Sequence, residues 1–479
     1  MILMLVNTHD YENDVRVMIG AFYPGEKLVT DAQAENECML CVRVHAASDE
    51  VDVNVKKGDK SYSAKFSTEG EDRKKIRDRI KRELYFIFEK ITKKSLPWGT
   101  LTGIRPVKIP SLMLEQGFGD DRIITLLQEE YLLKPHKARL SLEVAHNEKK
   151  LLDSIDYKNG YSLYIGIPFC PTTCLYCSFT SYPIGLWKKR VDEYVEALLK
   201  ELSYLSVLLK DKRPDTIYIG GGTPTTLEPR QLERLLGFVE DNFNLGGLLE
   251  YTVEAGRPDS ITREKLDVLR AHGVDRISVN PQTMNQKTLD LIGRRHTVEQ
   301  IYSAMETAGA CGFDNINMDL IVGLPGETKD DVFHTLSEIK KLSPDSLTIH
   351  SLAVKRAARL NIEKELYESY RMENTDEIMD MTGDFARELG MQPYYLYRQK
   401  NMKGNFENVG YSRPGKAGIY NILIMEEKQS IYAAGANSQS KIVSHDPVRV
   451  DRIENVKDVA TYIERTDEMI DRKRQFFND

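Results

Sequence analysis

The chain has 479 residues, of which 41% are hydrophobic and 29% are charged, so it holds enough apolar material for two or three domains. Its 66 Lys and Arg residues against 73 Asp and Glu residues give a net charge of -7, and we therefore expect no nucleic-acid partner. Six cysteines are too few for a disulfide scaffold, and no signal peptide or long apolar run occurs. These features predict a soluble, cytoplasmic protein with no membrane partner.

Residues 1–95 alternate strand-like runs with turn-rich breaks and end in a helix, which predicts an N-terminal α+β domain. The strand-like runs are VRVMIGAF, MLCVRVHA, VDVNVKK and SYSAKFS. The helix over 72–92 has an apolar stripe on one side and a basic face on the other. A solvated surface is the commoner explanation of such a face, and contact with RNA is the alternative.

Cys38 and Cys41 fall in one of these strand-like runs, where positions three apart point to opposite faces. This indicates core or edge cysteines, and the alternative is a redox pair or half of a metal site. Cys311 follows a predicted helix and is expected to be a small buried hydrophobe.

Beyond residue 95 the pattern divides into three further segments. We predict a helical connector over 96–155, a core over 156–360 and a C-terminal cap domain over 361–479. In the core, six strand-like runs alternate with helical segments near 188–209, 229–242, 262–272, 286–310 and 328–342. Such repeats predict a parallel sheet wound as a barrel or partial barrel, with its site at the carboxyl ends of the strands.

Cys170, Cys174 and Cys177 follow the first core strand with the spacing C-x3-C-x2-C. Three thiolates in one loop can bind three corners of a [4Fe–4S] cluster and leave the fourth iron open. A structural zinc site wants a fourth nearby ligand, and the sequence shows none close by. The other interpretation is three buried cysteines that cluster without a metal.

Polar or glycine residues follow several later core strands. The run Gly220-Gly221-Gly222-Thr223-Pro224 ends the second strand, where missing side chains let the backbone approach a ligand. Further groups at successive strand ends are Glu254, Gln282, Arg294 and Asp319. Several polar groups that face one mouth predict a binding site. His350 ends the sixth strand and indicates a hydrogen-bonded structural histidine, with proton transfer as the alternative.

The CxxxCxxC spacing resembles the signature of the radical S-adenosylmethionine (SAM) enzymes. The pattern Tyr-x-x-Ile-Pro-Phe-Cys, GGGTPT and the later Gln, Arg and Asp are similar to the HemN-like coproporphyrinogen III dehydrogenase branch. LTGIRPVKI, RISVNPQTMN and YRQKNMKGNFENVGYSRPGK resemble its HemZ subgroup. This resemblance implies an α/β fold, a partial (β/α)6 radical SAM barrel with an N-terminal α+β domain and a C-terminal cap.

The resemblance also implies a ligand for each matching position. Cys170, Cys174 and Cys177 would hold a [4Fe–4S] cluster. The residues implied for the cluster-bound SAM are Tyr164, Gly221 and Glu254. Those implied for a second SAM are Tyr176, Gly222, Thr223, Gln282, Arg294, Asp319 and Ala353. Because Arg294 and Asp319 are far from the cysteines in sequence, we expect their alanine variants to weaken SAM use and spare the cluster.

The implied reaction is oxygen-independent oxidative decarboxylation of coproporphyrinogen III to protoporphyrinogen IX by a 5′-deoxyadenosyl radical, in heme biosynthesis. The partners would be a tetrapyrrole substrate and a one-electron donor such as flavodoxin or ferredoxin. Cations at the rim could bind the propionates, and the candidates are Arg398, Lys400, Arg413 and Lys416; a solvated loop is the alternative.

Two other functions remain open at this point. The first is a HemW-type heme chaperone, and the second is a radical SAM enzyme that acts on another tetrapyrrole or on RNA. Phe179 matches the chaperones, since HemN has a cysteine there, and Asn280-Pro281-Gln282 replaces the Gly-Val-Gln of the family. Tyr420-Asn421 replaces the His-Asn pair of the chaperones, which argues against heme binding.

Overall fold

The structure is a computed structural model that describes residues 1–179, 181–355, 358–367, 369–399 and 405–478. The chain forms two compact units. The first contains Met1–His146, Asn374–Asp376 and Leu396–Glu407, and the second contains Asn147–Glu373, Glu377–Tyr395 and Asn408–Asp479. None of the helices in the described ranges is long and apolar enough to span a membrane. The four-segment division stays a prediction.

The N-terminal elements build a sheet with two helices packed against it. The strands are β1 (Ile2–Val6), β2 (Leu28–Val29), β3 (Leu40–Ala46), β4 (Glu50–Lys57) and β5 (Lys60–Ser67). The helices are α1 (His9–Phe22), α2 (Arg73–Thr92), α3 (Lys108–Glu115), α4 (Asp120–Glu129) and α5 (Pro135–Leu152). The sheet order is β2-β1-β3-β4-β5, and the apolar residues of α1, α2 and the sheet share one core.

The prediction of a strand at VRVMIGAF is wrong, because this run forms the second half of α1. Its buried side chains recur at helical spacing, as Tyr11, Val15, Met18 and Phe22 show. Thr8 caps the helix by accepting a hydrogen bond from the Asp10 amide at 3.3 Å. The helix expected over 72–92 is confirmed as α2.

The basic face of α2 is largely neutralised by neighbouring groups of the same unit. Arg73 pairs with Asp10 at 3.0 Å, and Arg79 pairs with Glu71 at 2.6 Å. Arg82 donates a hydrogen bond to the Glu129 carbonyl oxygen at 2.5 Å. These contacts support the interpretation of a solvated, internally paired surface and remove the main sequence argument for RNA.

The cysteines outside the triplet are free thiols. Cys41 lies in β3 and is 4% exposed, and burial raises the pKa of its thiol. Cys38 is half-buried just before that strand, so the expectation of core or edge cysteines is confirmed. Cys311 is also half-buried, at the end of a helix, and is therefore not the fully buried residue that we expected.

The second unit is built around one large sheet. Its strands are β6 (Tyr161–Ile167), β7 (Phe169–Cys170), β8 (Tyr182–Pro183), β9 (Pro214–Gly221), β10 (Glu250–Gly256), β11 (Arg276–Val279), β12 (Ile316–Val322), β13 (Ser346–Ser351), β14 (Gln392–Tyr397), β15 (Asn408–Ser412), β16 (Ile431–Ala434), β17 (Gln439–His445) and β18 (Val448–Glu454). Its order is β14-β15-β13-β12-β11-β10-β9-β6-β16-β17-β18, while β7 and β8 pair separately.

The helices of this unit mostly connect or cover those strands. They are α6 (Ile184–Trp187), α7 (Val191–Leu208), α8 (Pro229–Asn242), α9 (Arg263–Ala271), α10 (Gln286–Leu291), α11 (Val298–Ala310), α12 (Lys329–Leu342), α13 (Arg359–Ile362), α14 (Lys364–Tyr367), α15 (Asp376–Glu388), α16 (Ile419–Glu426), α17 (Val459–Glu464) and α18 (Thr466–Asn478). Strands β6 and β9 to β13 pair in parallel and in chain order. This confirms the partial (β/α)6 barrel.

The two faces of these parallel strands differ in chemistry. One face is apolar and buried, for example at Leu163, Ile217 and Val253. The residues on the other face are mostly polar or glycine, and they include Ser162, Tyr164, Gly166, Thr216, Tyr218, Gly220, Thr252, Glu254, Ser278, Asn317, Asp319, Thr348 and His350. Side chains alternate along a strand, so this pattern gives the barrel a polar interior. Such an interior suits a ligand cavity better than a sealed core.

Candidate functional site

Backbone hydrogen bonds connect the chain at the carboxyl end of β9 with the chain at the carboxyl end of β6. Gly222 donates to the Ile167 carbonyl oxygen at 2.7 Å, and Thr223 donates to the Phe169 carbonyl oxygen at 2.7 Å. A Cβ atom at Gly222 would lie 2.5 Å from the Phe169 oxygen, so only glycine fits there. The glycine run (residues 220–222) and the segment that carries the three cysteines (residues 170–177, the cysteine segment) therefore start side by side at the barrel mouth.

The three cysteines of the triplet lie in this segment as free thiols. Cys170 ends β7, and its sulfur lies 3.4 Å from the Thr223 hydroxyl, which donates to it. Burial raises the pKa of the Cys170 thiol to about 11 and also raises the pKa of Cys177, and the nearby Cys174 thiol adds to both shifts. A bound metal favours the thiolate strongly enough to overcome such a shift. This donor set fits an iron–sulfur cluster.

An arginine that the sequence analysis missed anchors the cysteine segment. Arg257 follows β10, is 2% exposed, and donates to the Thr172 hydroxyl at 2.8 Å. It also approaches the Cys174 sulfur at 4.0 Å and forms a bidentate pair with Asp259 at 2.9 and 2.7 Å. The signal was available, because Arg257 follows a strand end just as the recognised polar residues do.

Arg294 also lies close to the cysteine segment, so its substitution bears on the prediction that it acts on SAM alone. Arg294 is 6% exposed, its guanidinium donates to the Asn280 carbonyl oxygen, and its charge interacts with Cys174 and Tyr176. The chain brings it there because Leu175 donates to the Ile292 carbonyl oxygen at 2.9 Å, next to Arg294 in sequence. Substitution of Arg294 is therefore expected to disturb the cysteine segment as well as any SAM contact.

Buried polar atoms around Arg294 have no hydrogen-bond partner among the described residues. They are Nε of Arg294, Oε1 of Gln282 and Oδ1 of Asn280. Gln282 follows β11 with a positive φ of 70°, and its backbone N–H donates to the Asp319 carbonyl oxygen at 3.0 Å. Buried polar atoms without partners are rare in folded proteins, so a polar ligand at this position would satisfy them.

Glu254 lies at the centre of a second polar group. One carboxylate oxygen accepts a hydrogen bond from Tyr218 at 2.5 Å, and the other accepts from the Gly221 amide at 3.3 Å. Burial raises the pKa of Glu254 to about 7, and the Asp319 charge adds to this shift. The Tyr164 ring stacks parallel to Tyr218 at 6.2 Å. Tyr164, Gly221 and Glu254, all implied for one SAM, are thus brought together.

Asp319 and His350 lie on neighbouring strands of the polar interior. The Oδ2 atom of Asp319 is 3.7 Å from Nε2 of His350, and its Oδ1 atom accepts from Asn317 at 2.7 Å. Burial alone would raise the pKa of Asp319, but hydrogen bonding and charge from His350, with further donors, hold it below its ordinary value. His350 thus lies at ion-pair distance from Asp319, and its role as a hydrogen-bonded structural histidine stays a prediction. Ala353 follows β13 by two residues, at the same edge of the sheet.

Two of the candidate rim cations, Arg413 and Lys416, lie away from the mouth. Arg413 donates its amide to Asp345 at 2.9 Å, and the Lys416 ammonium lies 3.2 Å from Asp314; these partners precede β13 and β12, at the opposite end of the strands. The Arg398 guanidinium belongs to the first unit, is buried, and donates to the Leu101 and Asn405 oxygens. Lys400 lies outside the described residues.

Other side chains do occupy the mouth of the barrel. Leu175 of the cysteine segment packs in an apolar cluster with Leu324, Leu352 and Leu360, which follow β12 and β13. The Phe179 ring is 67% exposed, and the Lys355 ammonium lies 5.7 Å from its centre. The mouth therefore carries an exposed aromatic ring and a cation next to the cysteines.

Comparison with known proteins agrees with this geometry. A family model described as "Radical SAM superfamily" matches residues 164–339. The chain is 40% identical over 413 residues to the oxygen-independent coproporphyrinogen-III oxidase-like protein HemZ of Bacillus subtilis, which covers 85% of this chain and 82% of HemZ. It is 39% identical over 196 residues to the heme chaperone HemW of the same organism, covering 40% of this chain and 50% of HemW.

A solved structure shares the fold. The coproporphyrinogen III oxidase HemN from Escherichia coli, described as a radical SAM enzyme, matches with a TM-score of 0.52 and 23% sequence identity. The match covers 67% of this chain and 73% of HemN. At this level of identity the likeness concerns the fold alone.

Proposed function

This chain belongs to the radical SAM superfamily, in the HemN-like branch and alongside HemZ, and from that premise we propose that it oxidatively decarboxylates coproporphyrinogen III without oxygen. Its cofactors are the [4Fe–4S] cluster and SAM of that superfamily. For each of two propionates, the proposed reaction removes one hydrogen atom, one electron and carbon dioxide, which leaves a vinyl group, and a separate one-electron acceptor takes the electron. The bound cofactors supply the 5′-deoxyadenosyl radical that takes the hydrogen atom.

We assign the cluster to Cys170, Cys174 and Cys177. The chemistry of the donor set supports this assignment, because three free thiols lie in one segment at the mouth. Arg257 approaches the Cys174 sulfur at 4.0 Å, and the charge of Arg294 lies near enough to interact with the same thiol. Their positive charges would offset thiolate charge and keep the segment in place, which is how neighbouring groups tune iron–sulfur sites.

The two groups of polar residues support two ligand positions. Glu254, with Tyr164 and the Gly221 amide, would hold the SAM next to the cluster, because a carboxylate suits the ammonium group of its methionine. The partnerless atoms of Arg294 and Gln282, together with Asp319, would hold a second SAM. Tyr176, Gly222, Thr223 and Ala353 would complete that position, in accordance with the family resemblance.

The proposed substrate is a tetrapyrrole with propionate side chains, and the mouth offers complementary chemistry. Phe179 presents an apolar ring to solvent, and Lys355 places a positive charge beside it. An aromatic surface suits a pyrrole ring, while an ammonium group suits a propionate. A one-electron donor such as flavodoxin or ferredoxin would supply the reducing electron. The single observation that carries the proposal is that the cysteine segment and the Glu254 group lie at the same mouth of the barrel.

A HemW-type heme chaperone is the second candidate, and the 39% identity to HemW over 196 residues favours it, as does Phe179. The absence of histidine at Tyr420 no longer argues against it. Tyr420 is 4% exposed and stacks on Tyr218 at 4.4 Å inside the barrel, so this position could not ligate a heme at the surface. Turnover must therefore distinguish the two functions. Anaerobic incubation with coproporphyrinogen III, SAM and a reductant should yield vinyl product and 5′-deoxyadenosine in the enzyme, but neither in a chaperone.

A further inference from the structure

Tyr218 and Glu254 form a short contact between neighbouring barrel strands. The tyrosine hydroxyl donates to Oε1 of Glu254 at 2.5 Å, which leaves Oε2 directed at the Gly221 amide, 3.3 Å away. Gly220 makes room for the pair, because a Cβ atom there would lie 2.7 Å from the Tyr218 ring and 2.9 Å from Cδ of Glu254. The carboxylate is thus bound at both oxygens, and one of its donors is a side chain.

The direction of that hydroxyl is fixed by ring stacking. Tyr218 is one of three nearly parallel rings that touch one another in a triangle, with Tyr420 at 4.4 Å and 20°, Tyr164 at 6.2 Å and 13°, and 6.4 Å between the centroids of Tyr164 and Tyr420. Tyr420 enters from α16, whose first amides bond to the Glu250 carboxylate at the amino end of β10. Since packing against these two rings restricts the Tyr218 side chain, its hydroxyl points at Glu254 without further ordering.

From this geometry we propose that Tyr218 is a positioning residue for SAM binding, which holds the Glu254 carboxylate ionised and aimed at the ammonium group of the ligand. The inference rests on the proposed contact of Glu254 with SAM and goes beyond it, because it assigns the state of that carboxylate to a residue of another strand. Tyr218 does not touch the ligand in this account.

The surroundings of Glu254 explain why such help is needed. Burial and the Asp319 charge favour the neutral carboxyl, whereas Tyr218, the Gly221 amide and His350 favour the carboxylate. Tyr164 and Tyr420, which face it from β6 and α16, are neutral hydroxyls whose pKa burial raises above the ordinary value. These opposing influences leave the pKa of Glu254 at about 7. Removal of the Tyr218 hydroxyl would therefore shift it upward, so that the carboxyl would be mostly neutral at physiological pH.

The experiment measures SAM affinity as a function of pH in the protein with its reconstituted cluster, by equilibrium dialysis under anaerobic conditions. Affinity in the wild type should rise as the pH increases through about 7, because only the ionised carboxylate attracts the ammonium group. Tyr218→Phe keeps the ring and removes the hydroxyl. It should move the midpoint upward by about one pH unit, the size expected for loss of a hydrogen bond to a charged group.

Two further variants separate the possible failures. Tyr420→Phe changes the same stack without removing a donor to Glu254, and its midpoint should match the wild type. Glu254→Gln should bind SAM weakly at every pH, with no midpoint near 7. A pH-independent, normal affinity in Glu254→Gln would contradict the proposed SAM contact itself. A clear effect of Glu254→Gln with no midpoint shift in Tyr218→Phe, or equal shifts in both tyrosine variants, would overturn only the role of Tyr218.

Discussion

The guanidinium of Arg257 lies 4.0 Å from the sulfur of Cys174 while two hydrogen bonds hold it to the carboxylate of Asp259. This contact connects the end of β10 to the cysteine segment. Because Arg257 is 2% exposed, no water can replace a lost partner. The pair therefore links the stability of the barrel end to the position of a proposed cluster ligand.

Arg257→Gln should lower both the thermal stability of the chain and the amount of cluster it retains. Removing one partner of a fully buried ion pair typically costs about 3–5 kcal/mol, and the cost here should be smaller because the Asp259 side chain is 19% exposed. The measurements are the midpoint of thermal unfolding and the iron bound per chain after anaerobic reconstitution. Arg263→Gln is a matched control, because Arg263 forms an exposed pair with Asp267 on α9. Equal behaviour of the two variants would contradict the anchoring role.

A variant with alanine at Cys170, Cys174 and Cys177 should lose the cluster altogether. Thiolates are the only strong iron ligands in this segment, and three are the number that leaves one iron open. Iron and sulfide content and the broad visible absorption of the cluster are the readouts. Alanine at Cys38 and Cys41, in the first unit, should change none of them. Retention of the cluster by the triple variant would mean that the site lies elsewhere.

The barrel could be predicted because each strand is marked twice in the sequence, by its own composition and by the helix that follows. Alternation such as Ser162, Leu163, Tyr164 and Ile165 identified a strand, although the polar interior was not anticipated. The run ending at Phe22 was misassigned because its valines and isoleucine favour strands, while its burial follows helical spacing. Local composition alone could not decide between the two.

The missed site residues share a physical reason. Arg257 and Tyr218 act through contacts with other strands, and no spacing in the sequence shows that the Tyr218 hydroxyl meets Glu254. Arg294 was assigned to a ligand but not to the cysteines, because the docking of Leu175 onto Ile292 is a tertiary contact. The expectation that Arg413 lies at the rim was wrong for the same kind of reason. Strand β15 runs antiparallel to β13 and carries Arg413 to the far end of the barrel.

Asp319→Asn should weaken SAM binding and leave the cluster intact, whereas Arg294→Ala should weaken both. Asp319 contacts Asn317 and His350, while the charge of Arg294 lies near enough to Cys174 to interact with its thiol. Loss of one partner of a buried charged contact costs about 2–5 kcal/mol, or roughly 30-fold or more in affinity. SAM affinity and iron content, measured on the same samples, check both statements. Unchanged SAM affinity in Asp319→Asn would remove this residue from the site.

Phe179→Ala and Lys355→Gln should each weaken binding of a propionate-bearing tetrapyrrole. Phe179→Ala removes an apolar contact worth about 1–2 kcal/mol and should weaken binding about tenfold. Lys355→Gln removes a solvent-exposed charge contact worth about 1 kcal/mol and should weaken binding about fivefold. Coproporphyrin III, the fluorescent oxidised form of the proposed substrate, serves as the probe in a titration. The effect of Lys355→Gln should shrink at high salt, since its contact is exposed. Lys60→Gln, at an exposed position of the β4–β5 hairpin, is the control. Unaltered binding in both mouth variants would place the substrate elsewhere.

The most direct test of the central claim counts products in one anaerobic preparation. The reconstituted protein is given coproporphyrinogen III, SAM and a reductant, and mass spectrometry quantifies vinyl product and 5′-deoxyadenosine per chain, while heme is titrated in parallel. The proposed function predicts several turnovers that require coproporphyrinogen III, are absent in the triple cysteine variant, and accompany weak heme binding. Stoichiometric, tight heme binding without substrate-dependent 5′-deoxyadenosine would contradict it and favour a heme chaperone.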